Sequence, residues 1–374
     1  MHSKNDSIVK QQGAIMLVTV SLLLIIASLA TVHTGRVKSL EHRILLNSQN
    51  QALAGAAAEG GLAHGITRMR ADPNWQGQEH TVMLTDNIRA VVRADFEQVQ
   101  RNGVNVSWAE IQSMGFSSDE QGSHSVSEQV LRYPLLNIVP QAPLISSVPL
   151  SSAVTFVLGA NPNGGGRGVP VSLWADENIA PLGINSRTCA LQSFDESGCA
   201  RGMYSNSTQS SSDVLQNHEQ FPEDALDYFF HIREFDWRVL RSEASIIEQD
   251  CAAATLGANR VMWIEGECTL DVSQHIGSES TPIILILVDS ALTMPSDSHI
   301  FGIVIMLSTT LPSIPKRIAM AVNSQLNGSL ILLSPLNEAV SQFSVRYNAA
   351  VLNNLQQDAD MQRLSKVSGS WRDF

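Results

Sequence analysis

The apolar and polar positions divide the chain into segments of different period. Residues 14–32 (AIMLVTVSLLLIIASLATV) carry no charge, and at about 1.5 Å per residue such a stretch crosses a hydrocarbon core of about 30 Å. A polar leader, residues 1–13, precedes it and ends in Gln12 and Gly13. After it, Val37, Leu40, Ile44 and Leu45 recur at helical spacing and no proline occurs before Pro73, which predicts a helical extension over residues 33–72. Ala52, Ala54, Ala56, Ala57 and Ala58 with Gly55, Gly60 and Gly61 form a small-residue stretch of the kind that lets helices approach closely. A flexible Ala/Gly linker is the alternative.

Beyond Asp72 the helical period stops. Residues 82–84, 88–92 and 96–99 alternate as half-buried strands do, and residues 140–215 are rich in Pro, Ser, Asn and Gly, as long loops are. Between Phe221 and Leu240, Leu226, Phe229, Phe230, Arg233 and Trp237 follow a helical spacing that predicts one packed amphipathic helix. From residue 260 the texture changes to short apolar runs, residues 261–264, 283–288, 300–306, 330–333 and 343–345, which suit a sheet buried on both faces. Gly266, Gly302 and Gly328 near the ends of these runs point to tight corners between stacked rungs. The expected fold class is therefore α+β: a long N-terminal membrane-spanning helix, an exported domain over residues 73–255, and a β-rich domain over residues 256–374 ending in a sheet of β-solenoid-like build.

Charge narrows the classes of partner. Charged residues make up 16% of the 374 positions, below the roughly 25% typical of soluble domains, and the net charge is −12. No basic run is available for counterion release, so nucleic acid is excluded as an expected partner. The four cysteines fall into two sequence-local couples, Cys189 with Cys199 and Cys251 with Cys268. Neither couple has the Cys-x-x-Cys spacing of a zinc site, and both are disulfide candidates, which requires an oxidising compartment. Four buried free thiols are the alternative.

Three readings compete for the N-terminus. The apolar run could be the core of an ordinary secretory signal, with Ser28-Leu29-Ala30 supplying the small residues that signal peptidase wants. It could be an uncleaved anchor, although Arg36, Lys38 and Arg43 follow it and only Lys4 and Lys10 precede it, against the positive-inside bias for an exported C-terminus. The third reading rests on Gln12-Gly13-Ala14, the apolar run that follows at once, and Ala56-Ala57-Ala58-Glu59. This layout resembles the N-terminus of type IV pilus minor pilins of the PilX kind, and the ending Gly369 to Phe374 is similar to the C-terminal region of long proteins of that kind.

The resemblance implies cleavage by a prepilin peptidase between Gly13 and Ala14, methylation of the new amine, and a filament-core helix including Ala14, Val18, Leu22, Leu23 and Leu24. It implies other pilins and minor pilins as partners, an inner-membrane anchor, and a periplasmic or extracellular remainder that reaches the cell-surface pilus. Most pilins carry Glu at the fifth mature position, where this chain has Val18. That carboxylate would pair with a neighbouring subunit's amine in an apolar core, where an unpaired charge is costly. A subunit lacking it is expected at the tip, as some pseudopilins are.

The chain offers little to an enzyme reading. No Gly-x-Ser-x-Gly occurs, and the Ser-x-x-Lys from Ser7 to Lys10 lies in the leader. The second histidine of a His-Glu-x-x-His helix would fall on Pro222. The glycine cluster from Gly159 to Gly168 lacks the Gly-Lys-Ser/Thr of a phosphate loop. Asp176, Glu177, Asp195 and Glu196 are calcium candidates only as scattered loop carboxylates, and Asn105, Asn206 and Asn327 stand in sequons of the number chance supplies. The expectation is a non-enzymatic subunit without cofactor or metal that primes or caps a type IV pilus and supports adhesion, aggregation or motility. The alternatives are a pseudopilin of a type II secretion system, and a secreted β-rich hydrolase or carbohydrate-binding protein with an ordinary signal peptide.

Overall fold

The computed structural model describes residues 6–72, 74–85, 87–101, 104–179, 186–199, 213–251, 260–310 and 312–374. It is α+β, with a long apolar N-terminal helix and a β-rich remainder of curled sheets. Contacts divide it into two compact units, residues 1–97, 109–130 and 366–374, and residues 98–108 and 131–365.

In the first unit, helix α1 (Asp6–Ala71) runs without interruption, a length of about 100 Å at 1.5 Å per residue. It ends before Asp72 and Pro73, as a residue preceding proline is disfavoured in helical geometry, and Arg68 and Arg70 sit in its last turn, where cations suit the negative end of the helix dipole. Strands β1 (His80–Thr85), β2 (Ile88–Arg101), β3 (Val104–Phe116) and β4 (Ser123–Pro134) lie side by side in sequence order. The pairing of β1 with β2 is antiparallel, from His80 opposite Val92 to Thr85 opposite Ile88. The C-terminal strand Arg372–Asp373 pairs antiparallel with β4, the Ser370 hydroxyl accepts from the Gln129 N–H at 3.0 Å, and His124 meets Asp373 at 2.8 Å.

One face of this sheet packs on α1. Ala90, Val92 and Ala94 of β2 and Ala109, Ile111 and Ser113 of β3 are buried at every second position, the period of a strand with one covered face. On the helix, Ala54, Ala57, Ala58, Gly61, Leu62, Gly65 and Met69 are buried, spaced as one helical stripe. The small residues have a specific reason. Gly61 lies against Ser113, Ala90 and Val92, Gly65 against Val92 and Ile111, and Gly115 against the backbone of Ala54, Ala57 and Ala58. The stretch expected to bring helices together is thus taken up by the sheet of its own unit, and the linker alternative fails because the stretch is helical and Ala54, Ala57, Ala58 and Gly61 of it are buried.

The second unit is built on parallel strands: β5 (Leu144–Ser146), β6 (Thr155–Gly159), β7 (Leu173–Ala175), β8 (Arg187–Cys189), β9 (Val214–Leu215), β10 (Ile246–Glu248), β11 (Val261–Ile264), β12 (Cys268–Thr269), β13 (His275–Ile276), β14 (Ile283–Val288), β15 (Leu292–Met294), β16 (His299–Leu307), β17 (Ile318–Met320), β18 (Gln325–Leu332) and β19 (Gln342–Arg346). One face has the order β10-β11-β14-β16-β18-β5-β7-β9 and a second the order β12-β15-β17-β19-β6-β8. The beginnings of β16 and β18 turn onto a third face, where His275, His299 and Gln325 stand in register. Gly302 and Gly328 occupy these corners, in register with each other and with φ near +145°. The chain enters in the middle, with β5 beside β18, runs outward through β7 and β9, then restarts at the far edge with β10 and returns.

The alternation within each strand sends its residues to two cores. Leu285, Leu287, Val304, Met306, Leu330 and Leu332 fill the interior of the curl with Phe156 and Phe343. Ile284, Ile286, Ile303, Ile305 and Ile331 face outward and are covered by Leu226, Phe229, Phe230, Leu240, Leu352 and Leu355. This is why all six residues of β14 are buried. The covering residues come from helices in three pieces. After α2 (Leu191–Ser197), the expected single helix over residues 221–240 is instead α3 (Ala225–Phe230), a short 3-10 turn (Glu234–Asp236) and α4 (Trp237–Ser242). The break falls at His231, which takes a left-handed φ of +50°, and the Asp224 carboxylate holds both ends by accepting from the N–H groups of Asp227 and Glu234. α5 (Ala349–Gln357) is capped by Asn348, whose side chain accepts from Ala350 and Val351.

Candidate functional site

Among the described residues, no element covers the N-terminal half of α1. Every residue from Ile15 to Gln49 is exposed, and among the described residues this is the one helix long and apolar enough to cross a membrane. Val18, Leu22, Leu23 and Leu24 are 57–66% exposed, around the whole circumference. The polar side chains inside the stretch are internally satisfied. The hydroxyls of Thr19, Ser21, Thr31 and Thr34 donate to the carbonyls of Met16, Leu17, Ser28 and Ala30 at 2.8–2.9 Å, so none of these four needs water, which a hydrocarbon surrounding demands. Gly13 and Ala14 belong to the helical backbone of α1; their side-chain positions lie outside the described residues.

Both cysteine couples are bonded as the spacing suggested. Cys189 and Cys199, with Cα atoms 5.3 Å apart, enclose α2, whose Phe194 packs against both in a small buried cluster. The loop is held down further by Asp195, which receives two hydrogen bonds from Arg346 at 2.6 and 2.8 Å and thereby holds the guanidinium above its usual range. Asp195 is thus engaged by a cation of the protein itself. Cys251 and Cys268, with Cα atoms 4.7 Å apart, belong to the interior core and tie the segment after β10 to the start of β12. Replacing both Cys251 and Cys268 by serine is expected to lower stability by about 3 kcal/mol, the loss for opening a loop of this length. The denaturant midpoint of the variant against the oxidised protein checks it.

Among the described residues no group of three or more His, Cys, Asp and Glu side chains is arranged to hold a metal ion. The closest approach of such groups on the third face is a pair: His275 and His299 meet edge to face at 4.9 Å, and burial together with His275 pushes His299 below its ordinary pKa. Of the sequon residues named above, the Asn327 side chain is 4% exposed on β18, Asn206 lies outside the described residues and so does the side chain of Asn105. Comparison of the chain with family models, with curated proteins and with solved structures finds no match.

Proposed function

We propose that this protein is a non-enzymatic, membrane-anchored minor pilin-like subunit that primes or caps a type IV pilus and supports adhesion, aggregation or motility. The observation that carries the reading is the division of labour along α1: its C-terminal half is clamped by the sheet of its own unit, while its N-terminal half is apolar, continuous and bare. A helix so built is suited to stand in a bilayer and then to pack among other pilin helices, with the leader cut between Gly13 and Ala14 by a prepilin peptidase. Two disulfides support an exported, oxidising location for the remainder. The parallel ladder with its glycine corners supports a solenoid-like reading of the β-rich part, and Val18 in place of Glu supports placement at the tip.

The N-terminal sequence and mass of the protein recovered from membranes test this reading. A chain starting at Ala14 with a methylated amine is expected, and Gly13→Leu is expected to leave the protein in the membrane as uncut precursor. A start at Thr31, an intact Met1 in the parent protein, or unimpaired cutting of the variant would each overturn it.

A further inference from the structure

Two cavities in the unit formed by residues 98–108 and 131–365 lie on either side of the glycine-rich loop over residues 161–168 and share Gln141. The larger, about 620 Å³, is lined by Tyr347, by five apolar residues and by six residues with amide side chains, Asn137, Gln141, Asn161, Asn163, Asn353 and Gln356. The smaller, about 420 Å³, is lined by Trp174, Tyr228, His218 and Gln220. Among the described residues, neither has a carboxylate, an ammonium or a guanidinium in its lining. Both volumes fall in the usual range for small-molecule sites, about 300–1,000 Å³.

The polar groups are held in place. The Asn161 side chain donates to the Gln141 carbonyl at 2.8 Å and accepts from the Asn163 N–H at 3.1 Å. Asn163 Oδ1 accepts from the Gly168 N–H at 2.6 Å. Gln141 Nε2 donates to Val139 O and Gln356 Nε2 to Asn137 O, so these two glutamines are anchored by their nitrogens and have their oxygens to offer. Tyr347 forms part of the wall, its ring fixed by a hydrogen bond from its hydroxyl to Pro140 O at 3.1 Å, and burial pushes that hydroxyl's pKa up to about 12, keeping it a neutral donor. The loop itself is cross-linked by backbone hydrogen bonds between Asn161 and Val171, Gly165 and Val169, and Gly166 and Asn163. Gly164 has no room for a Cβ above Gln141 O and Val171, which lets the loop press down between the two cavities.

On the other side, Trp174 is only half-buried, and its plane is set by an Nε1–H bond to His218 Nδ1 at 3.3 Å and by edge contacts to Phe221 and Tyr228. An amide-lined cavity asks for a ligand with many hydroxyls, each able to donate and accept. The absence of fixed charge in the lining disfavours an ion, because no opposite charge repays its desolvation. An aromatic face asks for a flat apolar surface, which the C–H face of a pyranose supplies. We infer that the two cavities are adjoining subsites for a neutral oligosaccharide, one sugar residue hydrogen-bonded by the amides and the next laid on Trp174 across the glycine-rich loop. The inference does not rest on the filament reading.

Titration of the protein, purified as the full chain in a detergent without a sugar headgroup, against cellotetraose, maltotetraose, mannotetraose and chitotetraose tests it, with tetragalacturonate as the charged comparator. Saturable binding of at least one neutral tetramer at millimolar concentration or below is expected. Trp174→Ala is expected to weaken it by about tenfold or more. Because Trp174 packs against Phe221 and Tyr228, Asn353→Arg on the exposed side of α5 serves as the second variant, filling the larger cavity from a position that buries nothing, and it is expected to weaken binding as much. Binding unaffected by either variant, tighter binding of tetragalacturonate, or no saturation with any neutral tetramer would overturn the assignment.

Discussion

Gly328→Ala is expected to destroy the curled sheet, with a loss of more than about 4 kcal/mol, beyond the ordinary range for one substitution. Two costs coincide at this position. With φ near +145° the backbone is in a region that a side-chain-bearing residue rarely enters. A Cβ there would also overlap the carbonyl oxygen of Gly302, while a Cβ on Gly302 would overlap that of Ile283. These carbonyls belong to the ladder joining β14, β16 and β18, so relief would mean parting strands whose side chains fill both cores. Gly302→Ala is expected to behave in the same way. Gly369→Ala separates the two costs, since Gly369 has φ near +76° with nothing near its Cβ position; it is expected to cost about 1 kcal/mol from backbone strain alone. Denaturant midpoints and the survival of a protease-resistant core check the series. A Gly328→Ala variant no weaker than Gly369→Ala would show that the corners do not depend on close approach.

The second large effect is expected at the other unit. Gly115→Leu drives a side chain into the backbone of α1 at Ala54, Ala57 and Ala58, where no flexible atom can give way, and is expected to cost about 4 kcal/mol or more by overpacking. The helix would part from the sheet, and protease cutting within residues 50–71 and a lowered melting temperature would report it. Gly35 supplies the comparison on the same helix. Nothing lies within 4 Å of its Cβ position, so Gly35→Leu is expected to leave the unit intact, and helix propensity alone favours it by up to about 1 kcal/mol. Equal behaviour of the two variants would remove the close-packing explanation of the small-residue stretch.

The two glycines also show how far local pattern reaches. Gly302 and Gly328 could be read as corners because they lie near the ends of apolar runs of strand length. Gly61 was legible only as part of a small-residue stretch, without its partner, and Gly115 carried no signal at all, since each matters through a contact on another element. The double burial of residues 283–288 was legible as an unbroken apolar run. By contrast, residues 221–240 kept a helical spacing although the chain breaks at His231, because Asp224 reaches two N–H groups that periodicity does not register. The bonded cysteine couples were legible because their loops are short. The amide cleft was not: Asn137, Asn161 and Gln356 come from separated segments, and each alone reads as an ordinary polar surface residue.

What the sequence determined by itself is whatever depends on neighbours along the chain: the apolar helix, the apolar strands after residue 260 with their doubly buried faces, the glycine corners and the short disulfide loops, whereas β5 to β9 lie in a segment that reads as long loops. Steric limits on φ and ψ and the two periods of burial act over a few residues, so they leave a readable mark. Only the tertiary structure decided that β5 stacks on β18, that the small residues of α1 meet their own sheet, and that two cavities flank one glycine-rich loop. Those arrangements join residues far apart in the chain, and their free energy comes from surfaces fitting in space, which no local period encodes.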